Sequence, residues 1–290
     1  MVTANSHEAP AISLIVCTRD RAGQLPAFFA ALEALQPHVS WELVMVDSAS
    51  RDDTPRRLRE LSQSLGVMAV LVREERAGLG RARNVGVRAA RAPLLAFTDD
   101  DCYPAPDYLD RVVDAFADPS LGFLGGRILL FDPADHPITT RTTDEMIAIA
   151  PRTVVPTGLV QGANMAFRRE VLDRIGGFDD ALGPGTPFCN DDVDAVARAS
   201  AAGYAGAYVP DPIVAHHHGR HAPEDVAALK RIYDHGRGAY YAKSIIDLPT
   251  RARYARHWWQ TARDLPPRVT MSEMRGAAEY CWRRITGGLG

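Results

Sequence analysis

The chain has 290 residues, 46% of them hydrophobic and 24% charged, with a formal net charge of −3. This length suits one large domain or two small ones, and the balance is that of a soluble globular protein. So small a negative charge leaves no footprint for nucleic acid or an anionic membrane. No run reaches the ~18 apolar residues of a spanning helix. Residues 1–10 carry no basic-then-apolar leader. The four cysteines, Cys17, Cys102, Cys189 and Cys281, are scattered without CxxC spacing. That argues against a disulfide frame or zinc site and for a reducing, cytoplasmic setting.

Ile12 to Cys17 is β-rich and predicts a first strand, followed by the polar loop Thr18-Arg19-Asp20-Arg21-Ala22-Gly23. Leu25, Phe28, Phe29, Leu32 and Leu35 recur at helical spacing until Pro37. Trp41 to Val46 is a second strand, closed by Asp47-Ser48-Ala49-Ser50. Asp53 or Thr54 caps a helix striped by Leu58, Leu61 and Leu65. Val67 to Val72 is a third strand, Gly78 to Ala90 a third helix and Leu94 to Thr98 a fourth strand. This alternation implies a parallel sheet covered by helices on both faces. Ligands of such sheets sit beyond the carboxyl ends of the strands, which is where Thr18, Asp47 and the acids after the fourth strand converge.

Those acids are Asp99, Asp100 and Asp101. Three adjacent carboxylates repel one another and pack badly in a helix or strand. A divalent cation among them makes them tolerable, since hard cations take oxygen ligands. A solvated acidic turn is the plainer alternative.

Asp107 to Phe116 reads as a helix and Leu121 to Leu130 as a strand. Residues 131–157 are Pro- and Thr-rich without periodicity, a length that points to a functional loop. Gly162 to Phe167 is a strand, Arg169 to Ile175 a short helix, and Gly183-Pro184-Gly185-Thr186-Pro187 a loop able to order over a ligand. Asn190-Asp191-Asp192-Val193-Asp194 opens a helix through Ala202 with Gly203 beyond its end. Acids in a first helical turn also have a purely structural use, at the positive end of the helix dipole. Tyr204 to Val209 is a strand, and Pro212 to Ala215 leads into His216-His217-His218, where alternation turns His216 and His218 to one side. Ala222 to Ile246 is helical, interrupted at Gly236-Arg237-Gly238, and residues 250–264 and 271–286 are basic–aromatic segments with Trp258, Trp259 and Trp282. Such helices either pack on the main domain or a second copy, or lie on a membrane surface.

The motifs Val16-Cys17-Thr18-Arg19-Asp20-Arg21, Val44 to Thr54, Ala82-Arg83-Asn84-Val85-Gly86, Phe97 to Cys102, Gly162 to Arg169, Ile175 to Asp179, Asn190 to Asp194 and the histidines at 216–218 occur in this order over residues 11–220. In that order and spacing the chain resembles family 2 glycosyltransferases of the GT-A fold. The resemblance implies an open, mostly parallel α/β sheet with a Rossmann-like half. It divides the chain into a catalytic domain at 1–220 (nucleotide-binding half 11–104, acceptor half 105–220) and a C-terminal helical extension at 221–290. It implies an inverting, metal-dependent transfer of sugar from a nucleoside diphosphate (UDP, GDP or TDP type) to a hydroxyl on a lipid, glycan or small metabolite. Asp101, helped by Asp99 and by His216 or His218, would hold Mn²⁺ or Mg²⁺; imidazole favours Mn²⁺. Thr18, Arg19, Asp47, Arg83, Asp99 and Asp100 would bind the nucleotide sugar, with an exposed helical arginine as the alternative for Arg83. Asp192 would be the general base. Asp191 stands where the family carries Glu, and Gln161 and Asn164 would face the sugar or acceptor. Competing readings are a nucleotidyltransferase, a haloacid-type phosphatase and a non-catalytic binding protein on a degenerate GT-A fold. Partners through the C-terminal helices would be a membrane surface or a second copy.

Overall fold

The computed structural model describes residues 9–289, so most of the N-terminal stretch read for a leader lies outside the described residues. In chain order the elements are β1 (Ile12–Thr18), α1 (Leu25–Glu33), β2 (Trp41–Ser48), α2 (Thr54–Ser62), β3 (Ala69–Glu74), α3 (Leu79–Ala89), β4 (Leu94–Asp99) and β5 (Cys102–Pro104). There follow α4 (Tyr108–Ala115), β6 (Leu121–Leu130), β7 (Ile147–Ile149), β8 (Asn164–Arg168), α5 (Arg169–Ile175), α6 (Asp191–Ala202) and β9 (Ala205–His216). Three helices close the chain: α7 (Pro223–Asp247), α8 (Arg251–Ala262) and α9 (Pro267–Thr286).

The strands form one sheet in the order β3-β2-β1-β4-β8-β6-β9-β5, with β7 also on β9. β3, β2, β1 and β4 are mutually parallel, the arrangement that the β-α alternation dictates. β8 inserts antiparallel between β4 and β6, and β9 runs parallel to β6. Strand alternation sorts side chains between two cores. Leu14, Val16, Leu43 and Met45 meet α1, α2 and α4 through Phe28, Leu58 and Leu109. Ile15, Val44, Val46 and Phe97 meet α3, α5 and α6 through Ala82, Leu172 and Val196. With both faces covered, the sheet's carboxyl edge is left to carry chemistry.

Two expectations change. The segments 204–209 and 212–215 are one strand, β9, whose register against β6 slips between Gly125 and Arg127. Pro210 and Pro212 have no N–H to donate, so the ladder there must break. Asn164 fills the gap: its side-chain amide donates to the carbonyls of Arg127 (2.9 Å) and Pro212 (3.0 Å).

The second change is in α7, which runs unbroken through Gly236-Arg237-Gly238. These glycines serve packing. A Cβ on Gly238 would strike the Glu273 backbone of α9, and one on Gly276 the His235 carbonyl of α7. Where helices approach this closely only hydrogen fits. Gly238→Ala should therefore cost about 1–3 kcal/mol and lower the melting temperature by several degrees. Gly23→Ala, where the new methyl meets nothing within 4 Å, should leave it unchanged in the same thermal melts.

Candidate active site

The carboxyl edge holds two adjoining cavities. The smaller, of ≈ 150 Å³, lies between the ends of β1 and β2 and is lined by Thr18, Arg19, Ser48, Gly78 and Gly185 among others. The larger, of ≈ 310 Å³, gathers Arg83 from α3, Asp99 from β4, Asp191 and Asp192 from α6 and His216 from β9. Leu79 and Pro184 border both. The Leu79 amide donates to the Pro184 carbonyl at 3.0 Å, so the glycine–proline loop is anchored on the start of α3.

The three consecutive acids part company. Asp99, at the end of β4, faces the larger cavity with Arg83 3.6 Å away. Burial pushes its carboxyl above the ordinary range, with Arg83 opposing. Asp100 turns back into the fold, accepts a hydrogen bond from the Thr18 hydroxyl and lies 3.6 Å from Arg21. Burial lifts it to about 7 against the pull of Thr18 and Arg21. Asp101 lies 3.5 Å from His216 Nε2 and 3.3 Å from Arg21. Burial would raise it, but His216 and Arg21 outweigh that and hold it below the usual carboxylate range. Reciprocally, burial lowers the His216 imidazole, and Asp101 more than offsets this.

Arg83 is buried, not an exposed helical arginine, with 3% of its surface accessible. It donates to Asp191 at 2.5 Å. Asp191 is also buried; desolvation lifts its carboxyl to about 6 despite the guanidinium. Asp192 is half-buried on the cavity wall, and its two oxygens accept the amides of Gly162 and Val193, each at 2.7 Å. It makes no ion pair within the described residues.

Oxygen of Asp101, nitrogen of His216 and sulfur of Cys102 lie within 4.8 Å of one another. The first two suit a borderline-hard ion such as Mn²⁺. The Cys102 thiol is fully buried, and burial pushes it well above its ordinary pKa; sulfur is also the softer donor and suits such an ion less than the carboxylate and the imidazole. The residues therefore fit a divalent cation held by Asp101 and His216, with Asp99 bordering the same cavity.

Thr18, Asp100 and Asp101 do not line the larger cavity, and four more expected residues also lie apart from it. His218 is turned away: its Nε2 meets the His136 carbonyl at 3.0 Å, and its Nδ1 accepts the Arg220 amide at 3.1 Å. Asn164 is fully buried in the β9 irregularity, its amide nitrogen bonded there and its Oδ1 accepting the Tyr108 hydroxyl at 3.2 Å. Asp47, at the end of β2, is buried, pairs with Arg73 and accepts the Ser50 amide at 3.1 Å. Arg19 reaches only the smaller cavity, 3.4 Å from Asp20. Gln161 does line the larger cavity. Sequence reasoning missed Thr139, Tyr233 and Arg237 there. Thr139 sits in the aperiodic segment 131–157, and the other two are one turn apart on α7, where no spacing signal distinguishes a cavity face from a packing face.

The family profile described as glycosyl transferase family 2 matches residues 13–176. The glycosyltransferase AglE of Haloferax volcanii is 25% identical over 208 residues, 71% of this chain and 67% of its own. The pre-mycofactocin glycosyltransferase of Mycobacterium tuberculosis is 24% identical over 77% of this chain, which spans only 46% of that protein. Among solved structures, the Pyrobaculum calidifontis mannosyltransferase PcManGT, in complex with GDP-Man and Mn²⁺, superposes with a TM-score of 0.67 at 22% identity, covering 97% of this chain and 80% of that one. Staphylococcus aureus TarS residues 1–349 with UDP-GlcNAc gives 0.63 at 16% identity, covering 93% and 80%. At these identities the superpositions speak for the fold. With more than half its length inside the matched profile and its architecture shared with glycosyltransferases, the chain belongs to glycosyl transferase family 2.

Proposed function

We propose that the chain transfers a sugar from a nucleoside diphosphate to an acceptor hydroxyl, with a divalent cation and with inversion at the anomeric carbon. One observation carries the reading: Asp99, Arg83, Asp191, Asp192 and His216, drawn from four distant elements, wall a single cavity beside a second pocket. The nucleotide sugars named for PcManGT and TarS support the donor class.

The pocket of Thr18, Arg19 and Ser48 is assigned to the nucleoside, and the larger cavity to the diphosphate, the sugar and the attacking hydroxyl. Asp101 and His216 would hold the cation, which supplies Lewis-acid stabilisation of charge on the departing diphosphate. Asp192 is the general base. Its carboxylate is oriented by two amides and faces the cavity, whereas Asp191 is committed to Arg83. As the acceptor oxygen bonds to the anomeric carbon, its proton passes to Asp192. The carbon–oxygen bond to the diphosphate breaks, and the electron pair leaves with the phosphate oxygen. Attack and departure on opposite faces make the displacement a single inversion.

Asp192→Asn should reduce turnover by ~10²–10⁴-fold while nucleotide affinity, read by calorimetry, stays within about twofold. Equal losses in both would remove Asp192 as the base. Asp101→Ala should weaken Mn²⁺-dependent nucleotide binding by roughly tenfold or more and leave metal-free binding nearly unchanged. Full activity in excess chelator would overturn the metal dependence.

A further inference from the structure

Thr139 is a β-branched residue in the left-handed region, with φ of 54°, a conformation such side chains rarely hold. The turn presents two oxygens to one ring nitrogen: His216 Nδ1 lies 3.2 Å from Thr139 Oγ1 and 3.5 Å from the Thr139 carbonyl. A carbonyl only accepts. The single hydroxyl proton already goes to the Ile138 carbonyl at 2.6 Å, so Oγ1 also accepts from the ring. Nδ1 must therefore carry the hydrogen, and in the neutral imidazole the lone pair sits on Nε2. That atom faces Asp101 Oδ1 at 3.5 Å. Across this gap the ring nitrogen and the carboxylate can share a proton or, in its place, a divalent cation.

From this arrangement we infer that Thr139 is a positioning residue that fixes the tautomer and aim of His216, so that Nε2 is ready for a divalent cation before any nucleotide arrives. The inference rests on the cation reading above, and the same outer contact is what orients histidine ligands generally.

The test uses the full chain, with MnCl₂ alone as probe and ¹⁵N NMR of the histidine rings. Wild type should show His216 as the Nδ1–H tautomer without metal. Thr139→Val, which keeps the branch and loses the hydroxyl, should weaken Mn²⁺ binding by about 10–100-fold and mix the tautomers. Thr139→Ser should restore both. A Thr139→Val protein with unchanged Mn²⁺ affinity, or a wild-type His216 in the Nε2–H form, overturns the inference. Wild type that binds no Mn²⁺ would instead sink the cation reading, and the NMR result would still decide the tautomer.

A separate observation concerns α9. Its buried face, with Glu273, Gly276, Ala277 and Tyr280, packs against α7. On the opposite face Met271, Met274, Trp282 and Ile285 are 54–85% exposed. With Ala278 they fall within an arc of roughly 80° at 100° per residue, and the exposed Arg268 and Arg275 border it on one side. Residues 250–290 hold eight arginines against three acids, a net +5 in a chain of net −3. A second copy would bring the same positive charge against this one, whereas an anionic lipid surface complements it. Among the described residues no helix is long and apolar enough to cross a membrane.

We propose that α9 lies on an anionic bilayer surface through this stripe. The protein should co-sediment with phosphatidylcholine–phosphatidylglycerol vesicles and much less with phosphatidylcholine alone. Arg268→Glu with Arg275→Glu should cut that binding roughly tenfold or more, and Trp282→Ala with Ile285→Ser should do the same. Equal binding to both vesicles, or no vesicle binding together with a dimer that Trp282→Ala dissolves, would overturn it.

Discussion

The buried guanidinium of Arg83 joins the two halves of the sheet at the cavity. It reaches from α3, in the parallel half, to Asp191 at 2.5 Å on α6 and to Asp99 at 3.6 Å on β4. Taking such a charge out of water costs several kcal/mol, and the pairing offsets this only if the geometry is tight. Tightness here depends on missing side chains. A Cβ on Gly162 would overlap the guanidinium, and one on Gly183, at φ of 99°, would stand 2.8 Å from the Asp191 carboxylate. With Arg83 satisfied by Asp191, the neighbouring Asp192 is left without an ion pair among the described residues and faces the cavity. The division of labour between two adjacent acids is thus set by which one the arginine takes.

A similar sorting acts on the three acids after β4. Asp99 is the last residue of that strand, and β5 begins at Cys102, opposite His216 on β9. Between the two strands the chain turns, so Asp99, Asp100 and Asp101 cannot share a face. Asp100 is drawn to Thr18 at the end of β1, and Asp101 is carried to His216 by the pairing of its neighbour. Like charges that look repulsive in the sequence are separated by the turn, each with its own partner.

The parallel half was legible in the sequence because its physics is local. Continuous β-rich apolar runs in β1, β2 and β4, apolar stripes in α1 and α2, and turn residues between them fix each element before tertiary contacts act. That the acid triplet and the acids opening α6 sit at the ends of a strand and a helix was legible as well, but not the separate direction each side chain takes. What escaped depends on contacts remote in sequence. The burial of Arg83 follows from α6 arriving over α3. The role of Asn164 follows from a register slip between β6 and β9. The two glycines of α7 read as a break because helix propensity counts against them, whereas close approach to α9 requires them. His216 and His218 were indistinguishable by alternation. The chain leaves β9 after His216, and His218 and His221 bond to the 134–136 loop instead.

Residue 220 marks where strands give way to helices, but not the edge of the cavity. α7 supplies Tyr233 and Arg237 to the wall. Two turns further on, Lys243 sits between Asp179 at 2.6 Å and Asp194 at 2.5 Å. Asp194 is buried in the same helical turn as Asp191 and Asp192, and its other oxygen accepts from Arg198. Remove the ammonium and that carboxylate keeps only one cation in a setting with little water. The first turn of α6 carries three acids, and each is held differently: Asp191 by α3, Asp192 by backbone amides and Asp194 by α7. The aim of the middle carboxylate is therefore inherited from packing on both sides of the helix, which makes the C-terminal helices a structural part of the site.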